Sequence, residues 1–434
     1  MTPLDYGRLL MALTLSVHSL FVIPGIGLAL FISLAEFLGL RTRNENYLRM
    51  ARTWSRGFAL LFAVGAGSGV AVAVQLFLLW PTFMAVASQV IILPFFIEVF
   101  AFFTEAIFLG IYMYSWDRFK NPWRHWLASV PIVVASALSG FLITTVNAFM
   151  NAPTGFALSA GKLVHVDPVA AMLNTAVPYE TSHVLLACYV GTSFMLGAIY
   201  AFKRLRGDSS EYAKVAFQFA LSVGLVVAIL AAITGSLSAS FVASSQPEKF
   251  AAMEALYHTQ SSASETFFGI TIPIPGLLSF LATGSFNGVV TGLDAFPSST
   301  WPDVGLVHTA FNVLVTIGLL LVLIALVNLV LVRLPARERL RRLSQFAVVA
   351  AGPLAYANFL LGWAVTEVGR QPWIIYNVMT VQEGFTAAGE TVPALFFAFA
   401  AFYAALLGLT VVVLRRLYTA RPREPKPAPG AAHG

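Results

Sequence analysis

Nine long apolar runs constrain this chain more than anything else in it. They lie at about 9–40, 57–80, 86–115, 127–150, 179–202, 215–237, 304–332, 343–366 and 392–414. A helix needs roughly 20 mostly apolar residues to cross the hydrocarbon of a bilayer, and each run supplies them. Inside lipid every backbone N–H and C=O must be satisfied within the protein, which a helix does along its own length. The expected fold is an all-α integral membrane protein of about nine transmembrane helices, numbered helix 1 to helix 9 in chain order. Composition agrees: 58% of the 434 residues are hydrophobic and 11% are charged, against roughly 25% charged in a soluble domain.

The basic residues give the bundle a direction. Of the 26 Lys and Arg, 22 fall in the connections between helices 1–2, 3–4, 5–6 and 7–8 and in the C-terminal tail. Only Arg8, Lys162, Lys249 and Arg370 fall on the other side. Positive charge marks cytoplasmic connections, so the N-terminus is expected outside and the C-terminus in the cytoplasm. The net charge of +6 is then a topology signal, and no nucleic-acid partner is expected. The first run is too long for a cleavable signal peptide. The single cysteine, Cys188, excludes a disulfide framework. The expected organisation is helices 1–6 over 1–237, an outer loop over 238–303, helices 7–9 over 304–417 and a disordered cytoplasmic tail over 418–434. A loop as long as 238–303 is usually functional or disordered.

Ionisable groups inside the spans are costly in lipid and point to function. His18 on helix 1, His183 on helix 5 and His308 at the start of helix 7 all fall in the outer half. Imidazoles in helical bundles are common haem ligands. The competing reading is a histidine hydrogen-bonded to a neighbour. For His125, His165, His258 and His433, in connections or the tail, the structural reading is preferred. Glu98 and Glu105 lie seven apart on helix 3, nearly on one face, with no Lys or Arg nearby in these spans. Buried carboxylates with access to water suit proton relay or metal ligation. Glu36, near the cytoplasmic end of helix 1, stays open. Arg370 and Trp373, in the run that closes helix 8, are either interface anchors or partners of an anionic cofactor group.

Several motifs occur together. They are Gly369-Arg-Gln-Pro-Trp373, Arg8-x9-His18-x-Leu-Phe-Val, Ala101-Phe-Phe-x-Glu105, Trp116-Asp-Arg118, and Asn147-x-x-Met150 with Pro153. Jointly, over nearly all nine helices in order, they make the chain resemble subunit I of the cytochrome bd-type quinol oxidases. The resemblance implies two b haems and a third haem of d or b type. It implies that His18 and Glu367 are axial ligands in a high-spin haem pair and that His183 holds a low-spin haem. Arg8, Arg370 and Trp363 would lie beside the haems. Glu98 and Glu105 would line a proton path from the cytoplasm or contact the active-site haem, and Ser139 and Asn147 match polar positions on the family's fourth helix. Lys249-x4-Glu254 would be the quinol pair, where a lysine holds a quinone carbonyl and a carboxylate accepts protons. Without the resemblance, Lys249 and Glu254 read as an exposed helix face. It also implies quinol and O2 as substrates, a second membrane subunit with a small single-helix subunit as a further partner, and a bacterial or archaeal cytoplasmic membrane.

The chain departs from the family pattern twice. The low-spin haem's methionine, in a Phe-Arg-x-Met context, is matched here by Phe311-Asn-Val-Leu314. Leucine cannot ligate iron, which makes His308 the nearest substitute, although it sits about 120° off the Leu314 face and roughly 9 Å along the axis. The helix-3 carboxylates are seven rather than eight apart. Two rival readings are a haem protein that moves electrons without reducing O2 and a proton-coupled transporter. The paired interrupted helices common in transporters are not evident.

Overall fold

The computed structural model describes residues 1–159, 162–334, 338–386 and 389–419. Among them are nine helices long and apolar enough to cross a membrane. Helix 1 is Pro3–Thr42, helix 2 Glu45–Leu79, helix 3 Pro81–Tyr114, helix 4 Pro122–Asn151 and helix 5 Val177–Leu205. Helix 6 is Glu211–Ser245, helix 7 Val304–Arg333, helix 8 Glu338–Val368 and helix 9 Val392–Thr419. The expected count holds. Most of the tail, with His433, lies outside the described residues.

Local chemistry sets where the helices begin. Thr2 and Asp5 form a reciprocal capping box ahead of helix 1, and Asn44, Asn121, Ser210 and Asp303 cap helices 2, 4, 6 and 7 with side-chain oxygens. These caps satisfy N–H groups that the first helical turn leaves open. Helix 6 continues to Ser245, past the apolar run that ends near 237. Its last turns are rich in serine, and Ser240 and Ser245 return their hydroxyls to the carbonyls of Ser236 and Phe241. The helix therefore persists where hydropathy falls.

Helix 1 is central, packing on helices 2, 4, 5 and 9, while helix 5 packs on 6 and 8, helix 3 on 4, and helix 7 on 6 and 8. Helices 1 and 5 cross closely: a Cβ on Gly27 would stand 1.9 Å from the Thr192 hydroxyl. Small residues at such crossings let membrane helices approach backbone to backbone. The largest apolar cluster joins Phe31, Trp54, Phe58, Tyr112, Phe194 and Phe219 toward the end that carries the basic connections. Helices 2, 3 and 9 turn large apolar side chains such as Phe77, Phe100 and Phe397 outward.

At the opposite end the connections are folded. Between helices 6 and 7 run a short helix Pro247–Glu254, a hairpin of Thr266–Phe267 with Ile270–Thr271, a helix Leu277–Thr283, and a pairing of Gln260–Ser261 with Val289–Val290. After helix 8, Trp373–Ile375 pairs with Met379–Thr380.

Candidate functional site

Two histidines are presented in the same way. His18 Nδ1 lies 2.8 Å from Ser68 Oγ of helix 2, and His183 Nδ1 lies 3.1 Å from Thr234 Oγ1 of helix 6. Each hydroxyl already donates its hydrogen to its own helix, Ser68 to the Gly65 carbonyl and Thr234 to those of Leu230 and Ala231. Each must therefore accept from the imidazole. That fixes the proton on Nδ1 and leaves the Nε2 lone pair for a ligand. A glycine follows each hydroxyl residue. A Cβ at Gly69 would be 3.4 Å from His18 Cε1, and one at Gly235 would be 3.1 Å from His183 Cε1. The Ser-Gly and Thr-Gly pairs thus hold each ring close against the neighbouring helix.

The third expected ligand, Glu367, ends helix 8. Arg370 Nη2 donates to its Oε2 at 2.6 Å, and the Asn147 amide donates to Oε1. Its side chain keeps 31% of its accessible surface, while that of Arg370 keeps 1%. The charge is held in place while lone pairs stay open. Among the described residues no three His, Cys, Asp or Glu side chains gather as a bare ion requires. Isolated single ligands suit haem iron, whose porphyrin supplies the other in-plane donors.

Asn151, which motif reasoning passed over, is the hub of this region. Its Oδ1 accepts from Arg370 Nη1 at 3.0 Å and from Lys249 Nζ at 3.3 Å. Its Nδ2 donates to Glu180 Oε1 at 2.8 Å and to Asn147 Oδ1 at 2.9 Å. Gln246 donates to the Asn151 carbonyl. Lys249 is therefore no solvated helix face: it is 5% exposed and joins the Glu367–Arg370 cluster. Burial chiefly pulls its ammonium below the usual lysine range, with the Glu180 charge opposing. Asn147 and Asn151 share a face at four-residue spacing, and Glu180 lies three before His183. Those spacings were the available signals.

Glu254, five residues after Lys249, sits about 140° around the short helix and faces a different group. It is 7% exposed, and burial first, then the charge of Glu265, pushes its carboxyl above the usual range. His308 lies within electrostatic reach of Glu265 and donates from Nδ1 to the Met253 carbonyl at 2.7 Å. Lys249 and Glu254 thus share a helix but not a cluster. Leu314 packs in the apolar cluster with Phe250, Val307 and Val365.

Polar pairs line the contact of helices 3 and 4. Ser139 donates to Glu98 at 2.7 Å, and Ser136 donates to Glu105, which is 5% exposed. Ser129, Ser136 and Asn147 lie on one face of helix 4. From Ser129 to Asn147 is five turns, or about 27 Å. Toward the basic end His125, expected in a plain connection, is 2% exposed and lies 2.6 Å from Glu36 and 2.9 Å from the Tyr112 carbonyl. Arg8 donates to Gln371, which ties helix 1 to the Gly369–Trp373 run. Trp363 stacks parallel to Phe359 with centroids 6.4 Å apart, and its Nε1 has no hydrogen-bond partner among the described residues.

Single open imidazoles, one anchored carboxylate and paired acids in a membrane bundle are the features of a cofactor-binding membrane oxidoreductase. Residues 6–422 match the family model for cytochrome bd terminal oxidase subunit I. A putative cytochrome bd menaquinol oxidase subunit I from Bacillus subtilis is 35% identical, over 96% of this chain and 97% of that one. The cytochrome bd ubiquinol oxidase subunit 1 of the same organism is 30% identical, over 93% and 90%. The structure of bd oxidase from Geobacillus thermodenitrificans superposes with a TM-score of 0.89 at 39% identity, covering 96% of this chain and 98% of that one. The chain belongs to the cytochrome bd terminal oxidase subunit I family. It is a multi-pass, haem-containing oxidoreductase subunit of quinol-oxidising electron transport.

Proposed function

We propose that this subunit oxidises quinol at the 246–303 loop and reduces O2 at a haem pair held by His18 and Glu367, with His183 holding the haem between them. The carrying observation is the shared presentation of His18 and His183, each with Nδ1–H spent on a helix hydroxyl and Nε2 open. When bound, two b haems and a third of d or b type supply the electron transfer and the oxygen chemistry. Arg370 and Asn147 hold the Glu367 carboxylate in one orientation, and Arg8 braces the same run through Gln371. Trp363, whose Nε1 has no hydrogen-bond partner among the described residues, would lie beside the haems. His308, nearest to the missing methionine, spends its Nδ1 proton on Met253, which turns it toward the loop.

Lys249 supplies a donor for the quinone carbonyl and Glu254 a proton acceptor. Oxygen reduction consumes protons, and Glu105 with Ser136, then Glu98 with Ser139, then Asn147 beside Glu367, mark a path along helices 3 and 4. Basic connections face the cytoplasm, so that path runs from the cytoplasm and the quinol loop faces outward. A second membrane subunit, with a small single-helix subunit, would cover the outward apolar faces in a bacterial cytoplasmic membrane.

Redox difference spectroscopy of the purified oxidase, with oxygen uptake on added quinol, tests this reading. Haem bands with uptake are expected, and loss of haem in His18→Ala and His183→Ala assigns the ligands. Absence of haem would end the proposal. Full haem without uptake would favour an electron-transfer protein that does not reduce O2.

A further inference from the structure

At the end of the bundle that carries the basic connections, helices 5, 6, 7 and 8 close around a cavity of about 100 Å³. Arg204 comes to it from the last turn of helix 5, Lys214 and Gln218 from the first turns of helix 6, and Arg341 and Gln345 from the first turns of helix 8. None of these residues has a part in the haem or quinol reading. We propose that this cavity binds the phosphate group of an anionic phospholipid, whose chains lie along helix 6.

The charges favour an anion. Arg204 and Arg341 each hold a buried Nε with no hydrogen-bond partner among the described residues. A buried donor on a charged group is costly to leave unsatisfied, and both of these donors belong to arginines that line one cavity. The other contacts of the two side chains are with neutral groups. Arg204 lies over the Phe217 ring, 5.8 Å from its centroid, and Arg341 Nη2 donates to the Leu334 carbonyl at 3.0 Å. Among the described residues no carboxylate lines the cavity. The nearby acids have other partners: Glu211 pairs with Lys214 at 3.3 Å, and Glu338 with Arg342 at 3.8 Å. Asp208 accepts from the Ser210 N–H at 3.0 Å, and the Arg204 charge is the weakest influence on its carboxyl. The two arginines therefore bring uncompensated charge to the cavity.

Shape and surroundings narrow the anion to a lipid phosphate. A guanidinium presents its N–H groups in a planar fork that matches phosphate oxygens, and Gln218 and Gln345 add amide donors. The cavity is well below the roughly 300–1,000 Å³ that encloses a whole small-molecule ligand, so it admits a head group and leaves the rest outside. On helix 6, Ile229 and Ile233 are exposed and lie within about 60° of Gln218 around the axis. Gln218 to Ile229 is about 16 Å along the helix, close to the roughly 15 Å that is half of a bilayer's hydrocarbon core. A phosphate at the basic end and an acyl chain on that stripe belong to one phospholipid. Basic pockets between helices at the cytoplasmic membrane surface hold anionic head groups in this way. The bound phosphate ties the end of helix 5 to the start of helix 8.

Native mass spectrometry of the assembled, delipidated oxidase tests the site, with phosphatidylglycerol, phosphatidylcholine or inorganic phosphate added. The wild type should retain one phosphatidylglycerol in preference to phosphatidylcholine. Arg204→Gln and Arg341→Gln should each weaken that binding by about 10-fold or more, as for one hydrogen bond to a charged group. Both should keep the wild-type haem spectrum, which shows that the bundle is intact. Arg206→Gln, in the same connection but outside the cavity, should bind like the wild type. No retained phosphatidylglycerol in the wild type would overturn the proposal. Equal weakening in Arg206→Gln would also overturn it, in favour of a diffuse basic surface. Binding of inorganic phosphate with no preference for the lipid would overturn the lipid assignment.

Discussion

Asn151→Leu tests the hub directly. The substitution removes the side-chain oxygen that two buried cations share, Arg370 (2% exposed), which keeps Glu367 as a second acceptor, and Lys249 (5% exposed). A hydrogen bond to a buried charge is worth about 1.5–3 kcal/mol, so the two together cost about 3–6 kcal/mol. Glu180 loses its 2.8 Å amide donor as well. That is a large part of the 5–15 kcal/mol typical of a folded protein. At about 2 °C per kcal/mol for a large chain, the midpoint followed by haem absorbance should fall by at least roughly 6 °C. Arg370 also orients Glu367, so the haem signal assigned to Glu367 should weaken before that of His183. Asn151→Asp is the informative partner. It keeps acceptors for both cations but turns a donor toward Glu180 into a repelling oxygen, so its loss should be smaller and ease as pH is lowered. A wild-type midpoint and spectrum in Asn151→Leu would refute the reasoning, because buried cations cannot lose their acceptor at no cost.

Thr234→Val and Ser68→Ala remove the acceptors that fix the His183 and His18 tautomers, and each should weaken retention of its own haem about 10- to 100-fold, measured as haem per protein after dilution. Leu314→Met places a sulfur where leucine now packs, and should shift the spectrum or midpoint potential of the His183 haem; no change would show that this iron does not sense position 314. In the pH profile, an acceptor works only when ionised, so turnover should rise as pH climbs through the raised Glu254 value. Glu265→Gln removes the second contribution to that rise and should move the ascending limb to lower pH; an unmoved limb would separate Glu254 from quinol oxidation.

The helices were legible because lipid makes demands that composition alone can meet or fail, and nine runs met them. His18 and His183 stood out because an ionisable group is costly in an apolar run. What was not legible is pairing across helices. His125 read as a connection residue, since the sequence places Glu36 89 positions away from it. Asn151 carried no motif of its own, because its partners Glu180, Lys249 and Arg370 come from three other segments. Lys249 looked like a solvated face for the same reason. Spacing reports which residues share a face, but not what the face meets.

Helix 7 shows what the departures from the family pattern accomplish together. Where the family has arginine, Asn312 gives its oxygen to the Phe268 N–H and lays its amide over the His308 ring. Where the family has methionine, Leu314 fills an apolar cluster with Phe250 of the short loop helix. His308 closes on the carbonyl of Met253, next to Glu254. All three positions therefore hold the 246–303 loop. Helix 7 makes contacts with the loop at the positions where the family pattern has methionine and arginine. The His183 ring keeps its own anchor on helix 6 at Thr234, so losing the methionine need not displace the histidine. On the proposed reading, Leu314→Met would act on the haem held by His183, whereas His308→Gln would loosen the 246–303 loop from helix 7.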